Sequence, residues 1–371
     1  MIKPAEINKE RAKRLFEEAC GLLKQLIGIP SFSKEEDKTA DAIEEFFKRK
    51  NIVANRYLNN VWAVNKYYEK SKMTVLLNSH HDTVKPNPGY TLPPFEAIER
   101  DGKLFGLGSN DAGGSIVSLI ALFTYFYDTQ NLPFNLLLAA TAEEEISGHD
   151  GIEIQLPRLP KIDCGIVGEP TLMKMAIAEK GLVVIDCIAQ GVAGHAARNE
   201  GVNAVYKAMK DIKWFSSFRF SKSSSLLGPV HMAVTSVNTQ NKAHNIVPSE
   251  CRFVVDIRVN ECYSFEEVIA EIRNNVVCEV LPRSTRLRPS FIEEVHPLVI
   301  AGKMMGIETY GSPTCSDRAL MDFPALKMGP GDSARSHMAD EFIFLDEISE
   351  GIQKYIQLLL NLAFNIEMQK T

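Results

Sequence analysis

Hydrophobic residues in the first half of the chain recur with two different spacings. Those between Leu15 and Leu26, and again those between Ala40 and Phe47, repeat at helical spacing and so predict two helices with one apolar face each. A third, longer helix is predicted in "AGGSIVSLIALFTYFYD". Near-continuous apolar runs alternate with the helices, in "NVWAVNKY", "TVLLNS", "FNLLLAA" and "CGIVG", as is typical of strands buried on both faces. This alternation predicts an α/β domain with a central mixed β-sheet flanked by helices.

The pattern changes after Thr171. Segments that read as strand, helix, strand, strand, helix and strand follow, which is the order of a ferredoxin-like α+β unit. The serine-rich "FRFSKSSSLLGP" within them is predicted to be a loop. Beyond Phe291 the chain returns to helix, strand and a long C-terminal helix. We therefore expect a discontinuous catalytic domain over 1–174 and 291–371, with a dimerisation or lid domain inserted over 175–290.

Composition limits the class of partner. With a net charge of -6 over 371 residues and no basic stripe, nucleic acid is not an expected partner, and a small molecule is. Scattered charge in the first twenty residues argues against a signal peptide, and no later run is apolar enough to predict a membrane span. The seven cysteines form no C-x-x-C pair, which fits a reducing compartment and predicts a cytoplasmic protein.

Potential metal ligands follow most of the predicted strands of the large domain. They are His80, Asp82, Glu144, Glu145, Glu169, Asp332 and His337, and Asp111 adds a further carboxylate in the glycine-flanked turn "GLGSNDAGG". In open α/β sheets the carboxyl ends of the strands line the ligand crevice, so residues distant in sequence can converge there.

Each of these residues also has an ordinary structural interpretation. A single histidine is commonly a hydrogen-bonded structural residue, Asp111 could cap the helix that follows it, and Glu169 could be a solvated loop carboxylate. Their joint occurrence at five strand ends or turns favours a metal site instead. Histidine and carboxylate ligands without cysteine favour zinc, or next cobalt or manganese, and five ligands suit two ions that share one carboxylate.

The ordered set of motifs resembles the dinuclear zinc amidohydrolases and exopeptidases. The set comprises "SHHD", "GLGSNDAGG", "AEEE", "GEPT", "GVAGHAARNEGVNA", "NIVP", "DIRV" and "GPGDSARSH", and it covers nearly the whole chain. The family includes acetylornithine deacetylase, succinyl-diaminopimelate desuccinylase, aminoacylases and glutamate carboxypeptidases. Membership would imply two divalent ions, hydrolysis of a linear amide and a homodimer formed through the inserted domain.

The resemblance assigns a role to each matching position. It makes His80 and Glu169 ligands of one zinc, Glu145 and His337 ligands of the other, and Asp111 the bridge. Glu144 would be the general base, and Asp82 would orient the His80 imidazole through its second nitrogen. His195 of the inserted domain would reach across a dimer to stabilise the oxyanion.

Two further positions, Arg258 and Asn245, match residues that face substrate in the family. An arginine fork suits a substrate carboxylate, although Arg258 could equally form a surface ion pair.

The resemblance points first to a deacylase of N-acyl amino acids, and most closely to acetylornithine deacetylase of arginine biosynthesis. Alternatives within the same chemistry are a deacylase of N-acylcitrulline or of N-succinyl-amino acids, succinyl-diaminopimelate desuccinylase, and a dipeptidase. A remote alternative from another class is a non-catalytic homologue that binds amino acids. Loss of the base or of a metal ligand would mark that alternative, and neither is lost here.

Overall fold

The computed structural model describes residues 7–368, so the first six residues of the N-terminal stretch considered above lie outside it. The described residues form eight α-helices, which are α1 (Lys9–Ile27), α2 (Asp37–Arg49), α3 (Gly114–Phe126), α4 (Ile152–Gln155), α5 (Ala204–Ser217), α6 (Phe265–Asn275), α7 (Pro297–Lys303) and α8 (Leu345–Met368). None of these helices combines the length and apolar character needed to cross a bilayer.

The strands of the described chain are β1 (Asn55–Tyr57), β2 (Asn60–Val64), β3 (Thr74–His80), β4 (Ile98–Arg100), β5 (Lys103–Phe105), β6 (Asn135–Thr141), β7 (Cys164–Val167), β8 (Met175–Glu179), β9 (Gly181–Gln190), β10 (Gly194–His195), β11 (Ser223–Ser224), β12 (Gly228–Pro229), β13 (His231–Asn238), β14 (Ile246–Val247), β15 (Glu250–Val259), β16 (Glu279–Pro282), β17 (Ser290–Phe291), β18 (Thr309–Ser312), β19 (Ala325–Lys327) and β20 (Phe342–Phe344).

The chain divides into two compact units. The first contains the described residues up to Ile177, Ile292–Tyr310, and the described residues from Ser316 onward, and the second contains Ala178–Phe291 with Gly311–Cys315. The sequence placed the start of the inserted unit at residue 175, the first residue of β8, whereas the second unit begins at Ala178. It also did not anticipate that the short segment Gly311–Cys315 belongs to the second unit.

The first unit is built on a mixed sheet whose strands run in the order β1-β2-β6-β3-β7-β19-β8. β3, β6, β7 and β19 run parallel to one another, whereas β2 is antiparallel to β6 and β8 is antiparallel to β19. Every residue of β3, β6 and β7 is buried, which explains their near-continuous apolar sequences. The predicted α/β class with a mixed central sheet is confirmed.

Helix α3 forms the centre of the helical layer. It packs against β3 and β6 on one side and against α1 and α8 on the other, so almost all its residues are buried. The opposite face of the sheet is covered by side chains of loops, among them Leu159 and Phe323 over Leu76 and Leu137. The sheet therefore has both faces covered, and its strand ends are where polar side chains can gather.

The second unit has a four-stranded antiparallel sheet in the order β13-β15-β9-β16. Helices α5 and α6 contribute Phe215, Val268 and Ile272 to a core shared with the sheet. Along the chain the elements run β9, α5, β13, β15, α6 and β16, which is the order of a ferredoxin-like unit. The serine-rich segment, expected to be a loop, contains the short antiparallel pair β11 and β12.

Candidate metal centre

Three neighbouring parallel strands bring predicted ligands to one edge of the sheet. β3 ends in His80, which lies opposite Thr141 at the end of β6, and Asn78 lies opposite Val167 of β7. Glu144 and Glu145 follow β6, and Glu169 follows β7. Because parallel strands end at the same edge of the sheet, these three residues lie close to His80. The adjacent parallel strand β19 leads into the loop that carries His337.

The structure brings all five predicted ligands together, with Asp111 at the centre of the group. The Nε2 atom of His80 lies 3.4 Å from Oδ1 of Asp111 and 3.7 Å from Oε1 of Glu169. On the other side, Nε2 of His337 lies 3.5 Å from Oδ2 of Asp111 and 3.1 Å from Oε2 of Glu145. The two oxygens of Asp111 thus face two different histidines, and each histidine lies beside a different glutamate. Atoms of His80, Asp111 and Glu145 also lie within 4.8 Å of one another, so the two groups of side chains adjoin.

Asp111 lies in a turn that only small residues can form. Gly108 has a φ of +74°, and a Cβ atom on it would lie 2.5 Å from Cγ2 of Thr83. A Cβ atom on Gly113 would lie 2.2 Å from the carbonyl oxygen of Gly108. The glycines that flank Asp111 in the sequence are therefore required by close backbone approach and a left-handed conformation.

The His80 imidazole has one nitrogen fixed and the other free to bind a metal. Its Nδ1 lies 3.0 Å from the backbone carbonyl oxygen of Asp82, so Nδ1 carries the hydrogen in the neutral tautomer. Its Nε2 is buried and has no hydrogen-bond partner among the described residues. A buried imidazole nitrogen that faces two carboxylates and lacks a hydrogen-bond partner is suited to bind a divalent cation. The residues present at the predicted site therefore fit a metal ion.

Asp82 holds the site by contacts that differ from those predicted. Its carboxylate Oδ1 lies 3.4 Å from Nδ1 of His80, farther than its own carbonyl oxygen. The same carboxylate accepts hydrogen bonds from the backbone N–H groups of Glu144 at 3.1 Å and Glu145 at 3.2 Å, and from the hydroxyl of Ser33 at 2.7 Å. Asp82 therefore orients the turn that carries the two glutamates as well as the histidine.

The neighbouring His81 is a structural residue. Its Nδ1 lies 2.9 Å from Oγ1 of Thr39 and its Nε2 lies 2.9 Å from the carbonyl oxygen of Asn59. Burial lowers the pKa of His81 to about 4, so it remains neutral at physiological pH. Both ring nitrogens of His81 are already bonded, whereas Nε2 of His80 has no hydrogen-bond partner among the described residues, so His80 is the member of the pair that could bind a metal.

Charges within the cluster favour a bound cation. Burial raises the pKa of Glu169 to about 8. The charge of His80 acts in the opposite direction and lowers this pKa, whereas the negative charge of Asp111 raises it further. Burial also raises the pKa of Glu144 well above its ordinary value, and the charges of Glu169 and Asp317 add to that effect. Cations can neutralise such a group of buried carboxylates, since three carboxylate ligands balance most of the charge of two dications.

His337 lies at the exposed side of the cluster. Its side chain is 54% exposed, and the hydrogen bond to Glu145 raises its pKa to about 9 against the effect of burial. The loop of His337 is connected to the Asp111 turn through Asn110. The side-chain amide of Asn110 donates a hydrogen bond to the carbonyl oxygen of Asp332 and accepts one from the N–H of Asp332, each at 3.0 Å. The Asp332 carboxylate accepts a hydrogen bond from the N–H of Ala334, so this candidate caps the short helical turn Ser333–Arg335.

Two buried carboxylates beside the ligands were missed by the sequence reasoning. Glu341 accepts hydrogen bonds from backbone N–H groups of the Asp111 turn. Asp317 accepts a hydrogen bond from Oγ1 of Thr141 at 2.7 Å, and burial raises its pKa to about 6. Neither residue follows one of the strands predicted from the apolar runs, and the sequence carries no signal for either position.

The other predicted site residues belong to the second unit. His195 is exposed at the end of β10, and its Nδ1 accepts a hydrogen bond from the N–H of Ala197. The N–H of Ala196 donates to the carbonyl oxygen of Asn245 at 3.0 Å, so the segments of His195 and Asn245 are neighbours. The Arg258 fork donates to both oxygens of Asp256, at 2.8 and 2.9 Å, which is the ion pair considered as its alternative. The roles of these three residues stay predictions.

The fold and the cluster together define the class of protein, a metallopeptidase-like α/β hydrolase with a candidate metal site. The sequence matches Peptidase family M20/M25/M40 over residues 76–361, and the chain belongs to that family. The predicted family and the predicted class of metal-dependent hydrolase are therefore confirmed.

A relative and two solved structures illustrate the similarity. The chain is 27% identical over 213 residues to succinyl-diaminopimelate desuccinylase 2 of Ruegeria sp. (strain TM1040), and the match spans 54% of each chain. A tripeptidase from Staphylococcus aureus subsp. aureus mu50 superimposes with a TM-score of 0.76 at 18% identity, covering 97% of this chain and 100% of that one.

The YXEP protein of Bacillus subtilis, described as a dinuclear metal-binding peptidase of the M20 family, superimposes with a TM-score of 0.69 at 13% identity. That match covers 94% of this chain and 98% of that one. These two structures share the fold. The curated relative is a desuccinylase, so the comparison does not support the more specific prediction of acetylornithine deacetylase.

Proposed function

We propose that the chain hydrolyses the amide bond of a small N-acylated amino acid with two divalent metal ions, zinc in the first place and cobalt as the alternative. One observation carries the proposal, which is that the two oxygens of Asp111 face two different histidines, each of which lies beside a different glutamate. His80 and Glu169 would hold one ion, Glu145 and His337 the other, and Asp111 would bridge them.

Bound divalent ions supply a water molecule of lowered pKa and polarise the amide carbonyl. Glu144 would accept the proton of that water and later deliver it to the leaving amine. Its position supports this role, because Asp82 holds its backbone N–H and burial with nearby carboxylates raises its pKa. Glu144 also offers an oxygen within 4.8 Å of ligand atoms of His80 and Glu169, close enough to act at the ions they would hold.

The substrate that we propose first is an N-succinyl-amino acid of the diaminopimelate type. The name of the curated relative supports this choice, although the match spans only 54% of that protein's length. N-acetylornithine, N-acylcitrulline and dipeptides complete the set of amides to be compared. Arg258 could bind a substrate carboxylate only after exchanging its present partner Asp256, and Asn245 is exposed and available.

The second unit would serve as a dimerisation and lid domain. β13 is the edge strand of its four-stranded sheet, and Val237 on that strand is 54% exposed. An unpaired strand edge with apolar residues can pair with the same edge of a second copy about a two-fold axis. Such a homodimer would allow His195 of one chain to stabilise the oxyanion in the site of its partner. A cytoplasmic location likewise stays a prediction, made from the unpaired cysteines.

The test is a substrate panel on protein stripped with a chelator and then reloaded with zinc or cobalt. We expect negligible turnover without metal, recovery on reloading, and the highest kcat/KM for N-succinyl-diaminopimelate. A higher kcat/KM for N-acetylornithine would restore the deacetylase prediction, and one for dipeptides would place the chain with the peptidases. Turnover that survives complete removal of metal would contradict the proposal.

A further inference from the structure

Glu341 is a buried carboxylate that lies under the Asp111 turn. Only 2% of the surface of Glu341 is exposed to solvent. Its Oε1 atom accepts hydrogen bonds from the backbone N–H of Asn110 at 2.8 Å and of Asp111 at 2.9 Å. Its Oε2 atom accepts a third hydrogen bond, from the N–H of Gly108 at 3.2 Å. One side chain therefore satisfies three backbone donors of a single turn.

The backbone of Glu341 is attached to the same region. Its carbonyl oxygen accepts a hydrogen bond from the N–H of Gly106 at 3.0 Å, two residues before the turn. The contacts of the side chain and the main chain together connect a segment near the C-terminus to residues 106–111. The backbone conformation of Asp111 is thereby fixed by a residue far from it in sequence.

We propose that Glu341 is a positioning residue for the metal-bridging carboxylate. This inference rests on the proposed function, since it takes Asp111 as the bridge between two ions. Asp111 Oδ1 is directed to His80 and Oδ2 to His337, with distances of 3.4 and 3.5 Å to the two Nε2 atoms. A rotation of the Asp111 backbone would displace both oxygens at once. Loss of Glu341 should therefore weaken both metals together.

The chemistry of the side chain explains why a carboxylate suits this position. An ionised carboxylate only accepts hydrogen bonds, so both of its oxygens can face N–H groups. An amide has one oxygen and one NH₂ group, and in Glu341→Gln the NH₂ group would confront a backbone N–H of the turn. A buried donor left without an acceptor is unfavourable, so the turn is expected to shift away from its present conformation.

The neighbouring Asp340 provides a matched control. Its carboxylate also accepts backbone hydrogen bonds, from the N–H groups of Thr91 at 2.8 Å and Leu92 at 2.9 Å, and from the Thr91 hydroxyl at 2.6 Å. The loop of Thr91 carries none of the proposed ligands. Asp340 has a φ of +54°, a conformation that asparagine tolerates well, so Asp340→Asn adds little backbone strain.

The experiment measures zinc affinity of the full chain by competition with a chromogenic chelator, together with the visible spectrum of the cobalt-loaded protein and the melting temperature of the metal-free protein. For Glu341→Gln we expect both metal affinities to fall by about 10- to 100-fold, the usual effect of losing a group that supports a ligand. We also expect an altered cobalt spectrum. Asp340→Asn should keep both affinities and the spectrum of the unaltered protein.

Unchanged metal affinities and spectrum in Glu341→Gln would overturn the inference, whether or not the metal-free protein melts at a lower temperature. Loss of only one of the two metals would overturn it as well. Glu341→Asp keeps an acceptor-only group that is shorter by one methylene, and it gives the same comparison if the glutamine variant does not fold. If the unaltered protein itself fails to bind two equivalents of zinc, the proposed function fails, which is a distinguishable result.

Discussion

Replacing Asp317 by asparagine should stabilise the metal-free protein at neutral pH. The Asp317 side chain is buried next to Thr141 and is only 5% exposed as a residue. Burial raises its pKa from 3.8 to about 6, which means that the folded protein holds the neutral form more readily than the unfolded chain does. Asparagine has nearly the same shape, accepts the Thr141 hydrogen bond, and carries no charge.

The sign and size of the effect follow from proton linkage. Because the pKa is higher in the folded state, the stability contributed by protonated Asp317 is fully present below pH 3.8. It is lost as the pH rises to about 6. A pKa difference of roughly two units corresponds to about 3 kcal/mol, at about 1.4 kcal/mol per unit. Asp317→Asn should therefore raise the free energy of unfolding by up to about 3 kcal/mol at pH 7.5 and by under about 1 kcal/mol at pH 4.

Urea unfolding followed by circular dichroism, in the presence of a chelator at several pH values, measures this difference. The exposed Asp322 lies five residues away, and Asp322→Asn serves as the control, for which we expect a change within about 0.5 kcal/mol at every pH. A destabilised Asp317→Asn protein at pH 7.5, or a difference that does not vary with pH, would contradict a raised pKa for Asp317. The first result would mean that favourable contacts hold Asp317 in its charged form, and the second that its pKa is the same in the folded and unfolded states.

The remaining predictions concern the residues around the ions. Glu144→Gln should retain both metals while kcat falls by at least ~10²-fold, whereas Glu145→Gln should weaken one metal; equal metal content and similar rates in the two variants would contradict the assignment. Asp82→Asn should lower the affinity for the metal held by Glu145 more than for the one held by His80, since the Asp82 carbonyl oxygen still orients the His80 imidazole. Competition titration with a chelator measures the two metal affinities separately. Mixing inactive His195→Ala and Glu144→Gln proteins under subunit exchange should restore activity through one complete site, and no recovery despite proven exchange would exclude action of His195 across a dimer.

The convergence of the candidate ligands could be predicted because several of them follow a recognisable pattern. Apolar runs marked β3, β6 and β7 as buried strands, and His80, Glu145 and Glu169 lie at or just beyond their ends. Strand polarity then placed the three residues at one edge of the sheet. The glycines around Asp111 indicated a tight turn, and the structure shows the close contacts that require them.

Supporting residues could not be predicted because their partners are remote in sequence. Glu341 and the Asp111 turn are separated by 230 residues, and Asp317 and Thr141 by 176. A carboxylate that accepts backbone hydrogen bonds leaves no periodic pattern, and its burial depends on the whole fold. The sequence identified Asp82 as the residue that orients His80 and suggested its carboxylate for that contact. In the structure the backbone carbonyl oxygen of Asp82 lies closer to the imidazole, and no sequence pattern indicates which of the two atoms makes the contact.

The predicted start of the second unit, residue 175, differs from Ala178 for a related reason. β8 and β9 are separated by a single residue, Lys180, so the sequence offers no linker between them. The segment Gly311–Cys315 joins the second unit although it follows the return of the chain to the first unit. Local composition does not reveal such a late contribution.

Asp111 is proposed to bridge two metal ions. Elemental analysis of the zinc-saturated, desalted protein, compared with Asp111→Asn treated in the same way, tests it most directly. We expect ~2 equivalents of zinc per chain for the unaltered protein and loss of both from the variant, because each oxygen of Asp111 faces a different histidine and each of those histidines lies beside a different glutamate. One tightly bound equivalent in the unaltered protein, or two equivalents that survive Asp111→Asn, would contradict it.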